Sequence, residues 1–208
     1  MTDPIFDLKR LEDRYDYIAG IDEVGRGCLF GDVVAACVIM PIDDAIEGIT
    51  DSKKLTPKKR ALYEPEIKAR ALAYGFGRET AETIDRINIK QATRRAMVKA
   101  AEAVKTQGFE EKNVLFLIDA ETIDIPYPQQ AIVHGDDLSY NIACASILAK
   151  EYRDRLCIDW DREYPGYGIG AHKGYGTKKH REALLEKGPS ELHRRSFLKK
   201  ILGEGPAK

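Results

Sequence analysis

Two carboxylates side by side within an apolar strand constrain this chain more than any other feature. Residues 17–24, YIAGIDEV, read as a β-strand from their β-branched content and nearby glycines. Asp22 and Glu23 sit inside it, and a carboxylate taken out of water must be paired or bind metal. The apolar run VLFLID, 114–119, is short enough for a buried strand and ends on Asp119 in the same way. A short strand at 131–133 leads into His134-Gly135-Asp136-Asp137. Side by side in one sheet, these strands bring their acids to one edge. No Lys or Arg adjoins Asp119 or Asp136 in sequence. Four acids in one place cannot all stay ionised without a strong positive partner. An all-oxygen cluster selects hard divalent cations, Mg2+ or Mn2+, over zinc. The plainer alternative makes Asp119 and Asp136 turn residues or helix caps. Asp137, directly before Leu138 and a helical run, reads as an N-cap.

The remaining pattern fits an α/β domain with a mixed sheet. Residues 32–40 and 72–78 read as further strands. Thr56-Pro57 starts a helix that runs to about Ala71, with Pro65 expected to kink or break it. Ile89, Ala92, Ala96, Ala100, Ala103 and Val104 mark one helical face from Asn88 to Lys105. Leu138, Ile142, Ala145, Leu148, Ala149, Tyr152 and Leu156 mark a longer one. A glycine-rich stretch and two short basic helices follow. Two parts are expected: an α/β domain over 1–171 and a basic helical extension over 172–208.

With 208 residues and 43% apolar content, the chain has material for a core, which excludes wholesale disorder. No apolar run approaches the roughly 18 residues of a membrane helix. The N-terminus is acidic and broken by Pro4, unlike a secretory signal, so the cytoplasm is expected. Cys28, Cys37, Cys144 and Cys157 form no C-x-x-C pair and read as buried bystanders. Net charge is −1, which argues against a nucleic-acid partner until it is resolved by position. Residues 172–208 carry ten Lys/Arg and four Asp/Glu, whereas 1–171 carry 23 and 30. An acidic body bears a basic tail.

Gly25-Arg26-Gly27 follows the first strand, with Gly31 beyond it. A dinucleotide fingerprint would need a helix next, but GDVVAACVIM is strand-like, so that reading fails. Glycines flanking an arginine let backbone amides and a guanidinium approach phosphate; the plainer reading is a hairpin turn.

Seven ordered blocks now carry a resemblance: YIAGIDEVGRGCLFGDVVAACVI, DSKKL, FLIDA, HGDD, ASILAK, HKGYGT and HRRSF. Together, from about residue 15 to 198, they closely resemble the ribonuclease HII family. The resemblance implies a ribonuclease H-like five-stranded mixed sheet flanked by helices, with a C-terminal helical extension. It implies an endonuclease that cuts the RNA strand of RNA–DNA hybrids and cuts 5′ of single ribonucleotides in duplex DNA. Asp22, Glu23, Asp119 and Asp136 match the family's acids and would hold two ions, Mg2+ or Mn2+, leaving 3′-OH and 5′-phosphate ends. Gly25, Arg26 and Gly27 match the loop that recognises the RNA–DNA junction. Tyr175 matches a tyrosine that stacks beneath the neighbouring deoxyribose. Lys53, Lys54, Lys58, Lys59, Arg60, Lys173, Lys178, Lys179, Arg194 and Arg195 are candidate phosphate contacts. Gly-Asp-Asp replaces the frequent Gly-Asp-Ser, and Cys28 stands where proline is common. A monomer is expected, and ILGEGPAK contains no sliding-clamp docking motif. A different metal nuclease of the same fold would lack the glycine loop and the HKGY tyrosine. A non-catalytic nucleic-acid-binding domain would have no reason to keep four acids.

Overall fold

The computed structural model describes residues 2, 4–11, 14–41 and 43–203. Of the 201–208 tail, expected to lack a clamp motif, residues 204–208 lie outside the described residues. The elements run α1 (Pro4–Leu11), β1 (Tyr17–Val24), β2 (Val33–Ile39) and a 3-10 turn at Ser52–Lys54. Then come α2 (Pro57–Arg70), β3 (Ala73–Glu79), α3 (Ala81–Ile87), α4 (Ile89–Lys105), β4 (Val114–Asp119) and β5 (Gln129–Ile132). The chain continues through α5 (Gly135–Leu138), α6 (Tyr140–Glu163), α7 (Ile169–His172), α8 (Lys178–Lys187) and α9 (Arg195–Leu198). No helix among the described residues is long and apolar enough to cross a membrane.

The sheet is five-stranded in the order β3-β2-β1-β4-β5. β1 pairs antiparallel with β2 and parallel with β4, and β4 pairs parallel with β5. This is the mixed α/β sheet that the sequence led us to expect. Alternation along the strands divides the core. Ala19, Ile21, Val33, Ala35 and Cys37 face α4 with its Ala96, Met97 and Ala100. Ala36, Val38 and Met40 face Tyr140, Ala143, Ile147 and Leu148 of α6. All four cysteines are buried and free.

Several local expectations change. α2 is capped by the Thr56 hydroxyl as expected, but it runs through Pro65 without ending there. α1 and α3, of eight and seven residues, were not anticipated, because each offers barely two turns of periodicity. The capping reading of Asp137 is wrong. Gly135–Leu138 is a helical turn of its own, and the long helix begins at Tyr140 with the Ser139 hydroxyl accepting from Ile142 N–H.

Candidate active site

β1 and β4 are parallel neighbours with Ile21 opposite Ile118, so Asp22 and Asp119 follow at the same end of the sheet. The turn after β5 brings Asp136 to them, and the Gly135 N–H donates to Asp119 Oδ1 at 2.7 Å. Asp22 is buried, and its Oδ1 accepts from Glu23 N–H at 2.7 Å. The Ser146 hydroxyl of α6 lies against Asp22 and works to lower its carboxyl. Burial, then the charges of Glu23 and Asp119, holds the Asp22 carboxyl well above the usual range. Burial also raises Glu23, against the pull of Arg26. Asp119 is raised by burial, opposed by the Gly135 amide and reinforced by the charge of Asp136. The cluster is short of positive charge.

Two cations already stand on it. Lys53 Nζ lies 3.0 Å from Asp136 Oδ2, and Arg26 Nη1 lies 3.3 Å from Glu23 Oε1. Burial would lower the Lys53 ammonium, but the hydrogen bond and charge of Asp136 outweigh it and carry it up. Asp51 caps the 3-10 turn that presents Lys53, accepting from its N–H at 2.9 Å. Ser52, in the same turn, meets Ser146 Oγ at 2.8 Å. Lys54 pairs with Asp137, whose carboxyl is thereby held low. Among the described residues, no three His, Cys, Asp or Glu side chains are gathered tightly enough to hold an ion as they stand. The donors are nevertheless all carboxylate oxygens converging where cations are drawn in, which fits a hard divalent ion.

Beside the acids, Gly25 to Cys28 form a tight turn, with Cys28 N–H donating to Gly25 O at 3.3 Å. Gly25 has φ +92°, and a Cβ there would collide with the Arg153 guanidinium. Arg153 is buried and donates to the carbonyls of Asp32, Phe30 and Lys173 at 3.0, 3.0 and 2.8 Å. Arg194 was expected at the phosphate backbone but is fully buried. It donates to Gly31 O at 2.8 Å and Arg26 O at 2.9 Å, so it braces the turn from behind. Arg60, another candidate phosphate contact, is likewise buried, bound to Glu151 and to the Ser52 and Leu55 carbonyls. Lys173 Nζ closes on Gly170 O at 2.6 Å, and Arg195 is exposed near Asp85, which accepts from its N–H. Lys58, Lys59, Lys178 and Lys179 are exposed. Tyr175 is 44% exposed, bridges Cys28 through its backbone, and lies next to Gly27. Ser52, Ser146 and Arg153 escaped sequence reasoning, although the first two lie inside the DSKKL and ASILAK blocks.

The family model described as ribonuclease HII matches residues 19–200. A ribonuclease HII from Alkaliphilus metalliredigens is 62% identical over 192 residues, covering 92% of this chain and 94% of that relative. The chain belongs to the ribonuclease HII family. It is therefore a metal-dependent hydrolase, an endonuclease acting on the RNA of RNA–DNA hybrids. Ribonuclease H2 from Pyrococcus horikoshii OT3 shares the fold, with TM-score 0.73 at 22% identity over 90% of this chain and 98% of that one. A Bst-RNase HIII structure in complex with Mn2+ aligns with TM-score 0.65 at 18% identity, over 92% of this chain and 71% of that one. The ribonuclease HII blocks thus coincide with the strands and turns that build the acidic edge.

Proposed function

We propose that this ribonuclease HII also cuts 5′ of single ribonucleotides embedded in duplex DNA, leaving 3′-OH and 5′-phosphate ends. Asp22, Glu23, Asp119 and Asp136 would hold two divalent cations. The observation that carries this reading is the meeting of these acids beside the Gly25–Gly27 turn and Tyr175. Mg2+ or Mn2+ bound there supplies an activated water and a stabilised leaving oxygen. A structural neighbour solved with Mn2+ supports that class of ion.

The chain's own residues position the substrate. Lys53, 76% exposed at its side chain, and Arg26 offer charge to the scissile phosphate once cations take over the acids. The 2′-OH alone marks RNA, and the backbone of Gly25–Gly27 reads it. The half-exposed ring of Tyr175 supports the deoxyribose on the 3′ side. Lys54 and Arg195 lie outward as secondary contacts, and Lys173, held on the Gly170 carbonyl, would join them only by releasing it. Residues 172–208 act as an extension of the 1–171 domain, in a cytoplasmic monomer. A duplex labelled at its 5′ end and carrying one ribonucleotide tests this. Cleavage on the 5′ side of that nucleotide, lost in EDTA and restored by Mg2+ or Mn2+, is expected. Cleavage of long hybrids with the single-ribonucleotide duplex left intact, or cleavage in EDTA, overturns it.

A further inference from the structure

Three of the four histidines lie together behind Tyr175, away from the acids. His180 and His193 are buried, and their Nε2 atoms meet at 3.1 Å. The Ser190 N–H donates to His193 Nδ1 at 2.9 Å, so that nitrogen carries no proton. A neutral imidazole with an accepting Nδ1 has its proton on Nε2. His193 Nε2–H therefore donates to His180 Nε2. His180 must then carry its own proton on Nδ1, which lies 3.0 Å from the Tyr175 carbonyl. One direction of donation satisfies every nitrogen, running from Ser190 through both rings to the backbone of Tyr175.

The same residues close a frame around the glycine turn. Leu29 N–H donates to Gly174 O at 2.8 Å, and Cys28 bridges Tyr175. On the other side Arg194 N–H donates to Leu29 O at 2.9 Å, Gly31 N–H donates to Leu192 O at 2.8 Å, and Phe30 bridges His193. The segment 28–31 is thus held between the backbone at Tyr175 and the backbone at His193. The imidazole pair links the two, through His180 of α8, which reaches the Tyr175 carbonyl on one side and His193 on the other. The Phe30 ring stands edge-on to His193 with centroids 4.7 Å apart, fixing that imidazole's plane.

The geometry points to His180 and His193 as positioning residues that set Tyr175 relative to the Gly25–Gly27 turn, and so set discrimination of the RNA–DNA junction. This rests on the reading of Tyr175 given above. Neither ring touches substrate; both act through the Tyr175 backbone. Burial depresses both imidazoles, which keeps the pair neutral and the donation one-way at physiological pH.

Imidazole 15N spectra of the intact protein test the relay without any substrate. His180 should be the Nδ1–H tautomer and His193 the Nε2–H tautomer; either opposite tautomer, or a cationic ring at pH 7.5, overturns the proposal. Cleavage kinetics on single-ribonucleotide duplexes and on long hybrids then test its consequence. His180→Phe keeps a ring and loses the donor, so kcat/KM on the single-ribonucleotide duplex should fall about tenfold more than on hybrids. His180→Asn, which places an amide donor near Nδ1, should restore most of it. Equal losses on both substrates, or no rescue by His180→Asn, overturn the positioning role. Tyr175→Ala is run alongside. Equal losses from Tyr175→Ala would sink the Tyr175 reading, leaving the tautomer result to judge the relay separately.

Discussion

The acidic edge and the glycine-turn frame lie side by side yet are built on opposite principles. At the edge, burial first and neighbouring carboxylate charge after it raise Asp22, Glu23 and Asp119, and borrowed cations, Lys53 and Arg26, stand on the rim. Behind the turn, Arg153, Arg194, His180 and His193 spend their donors on backbone carbonyls and on each other. One region is left electrostatically unfinished, as the proposed ion site calls for. The other is held by hydrogen bonds already in place, with Arg194 Nη2 a buried donor left over, which suits the template that the proposed reading of a 2′-hydroxyl calls for. Metal chemistry tolerates a site that closes on binding; sugar discrimination does not.

The largest expected effect breaks the unfinished side. Asp119→Asn should reduce Mg2+-dependent cleavage by on the order of a thousandfold while hybrid binding persists. Titrating hybrid by fluorescence anisotropy beside the cleavage assay separates the two, and an active variant would remove Asp119 from the metal set. Next, Arg153→Met strips three carbonyls of their donor, and should cost about 3 kcal/mol in urea unfolding. A change of less than about 0.5 kcal/mol would mean the turn holds itself.

A pH series sharpens the contrast. His193 is held down to about 3 by burial, with His180 across from it and the Arg195 charge nearby. Its folded pKa lies below the unfolded value, so its stabilising contribution is present above about 6.5 and is lost as pH falls toward 3. Urea midpoints of wild type and His193→Phe should therefore differ most at pH 7.5 and converge near pH 4. Parallel curves would count against a buried neutral imidazole. The smallest effect is expected from Asp137→Ala. That residue's exposed pairing with Lys54 should leave kcat within about twofold, whereas Asp136→Ala should be crippling. Equal damage would show that Asp137 shares the metal.

Much of the acidic edge was legible because a carboxylate in an apolar strand is a local anomaly. Asp22, Glu23 and Asp119 declare themselves within a few residues of sequence. Their partners do not. Lys53 reaches Asp136 across 83 positions, and no local spacing encodes that. Arg194 and Arg195 are adjacent, and sequence offers no rule for which one turns inward. The cap assignment failed for a related reason. Asp137 and Ser139 are both competent caps, and only the short turn ending at Leu138 decides between them. Strands and α4 were readable because their periodicity runs long enough to register.

Gly20 lies in the middle of β1, and a Cβ placed there would run into the backbone of Asn141 and Ile142. The first turn of α6 is therefore pressed against the central strand with nothing but a hydrogen atom between them. Further along that same rigid helix come Ser146, under Asp22, and Arg153, under the glycine turn. Adding one methyl group at position 20 would tilt a 24-residue rod and shift Ser146 and Arg153 together, the supports of the acidic edge and of the glycine turn. One of the tightest tolerances in this nuclease thus belongs to a glycine in the middle of the central strand, behind the acids rather than among them.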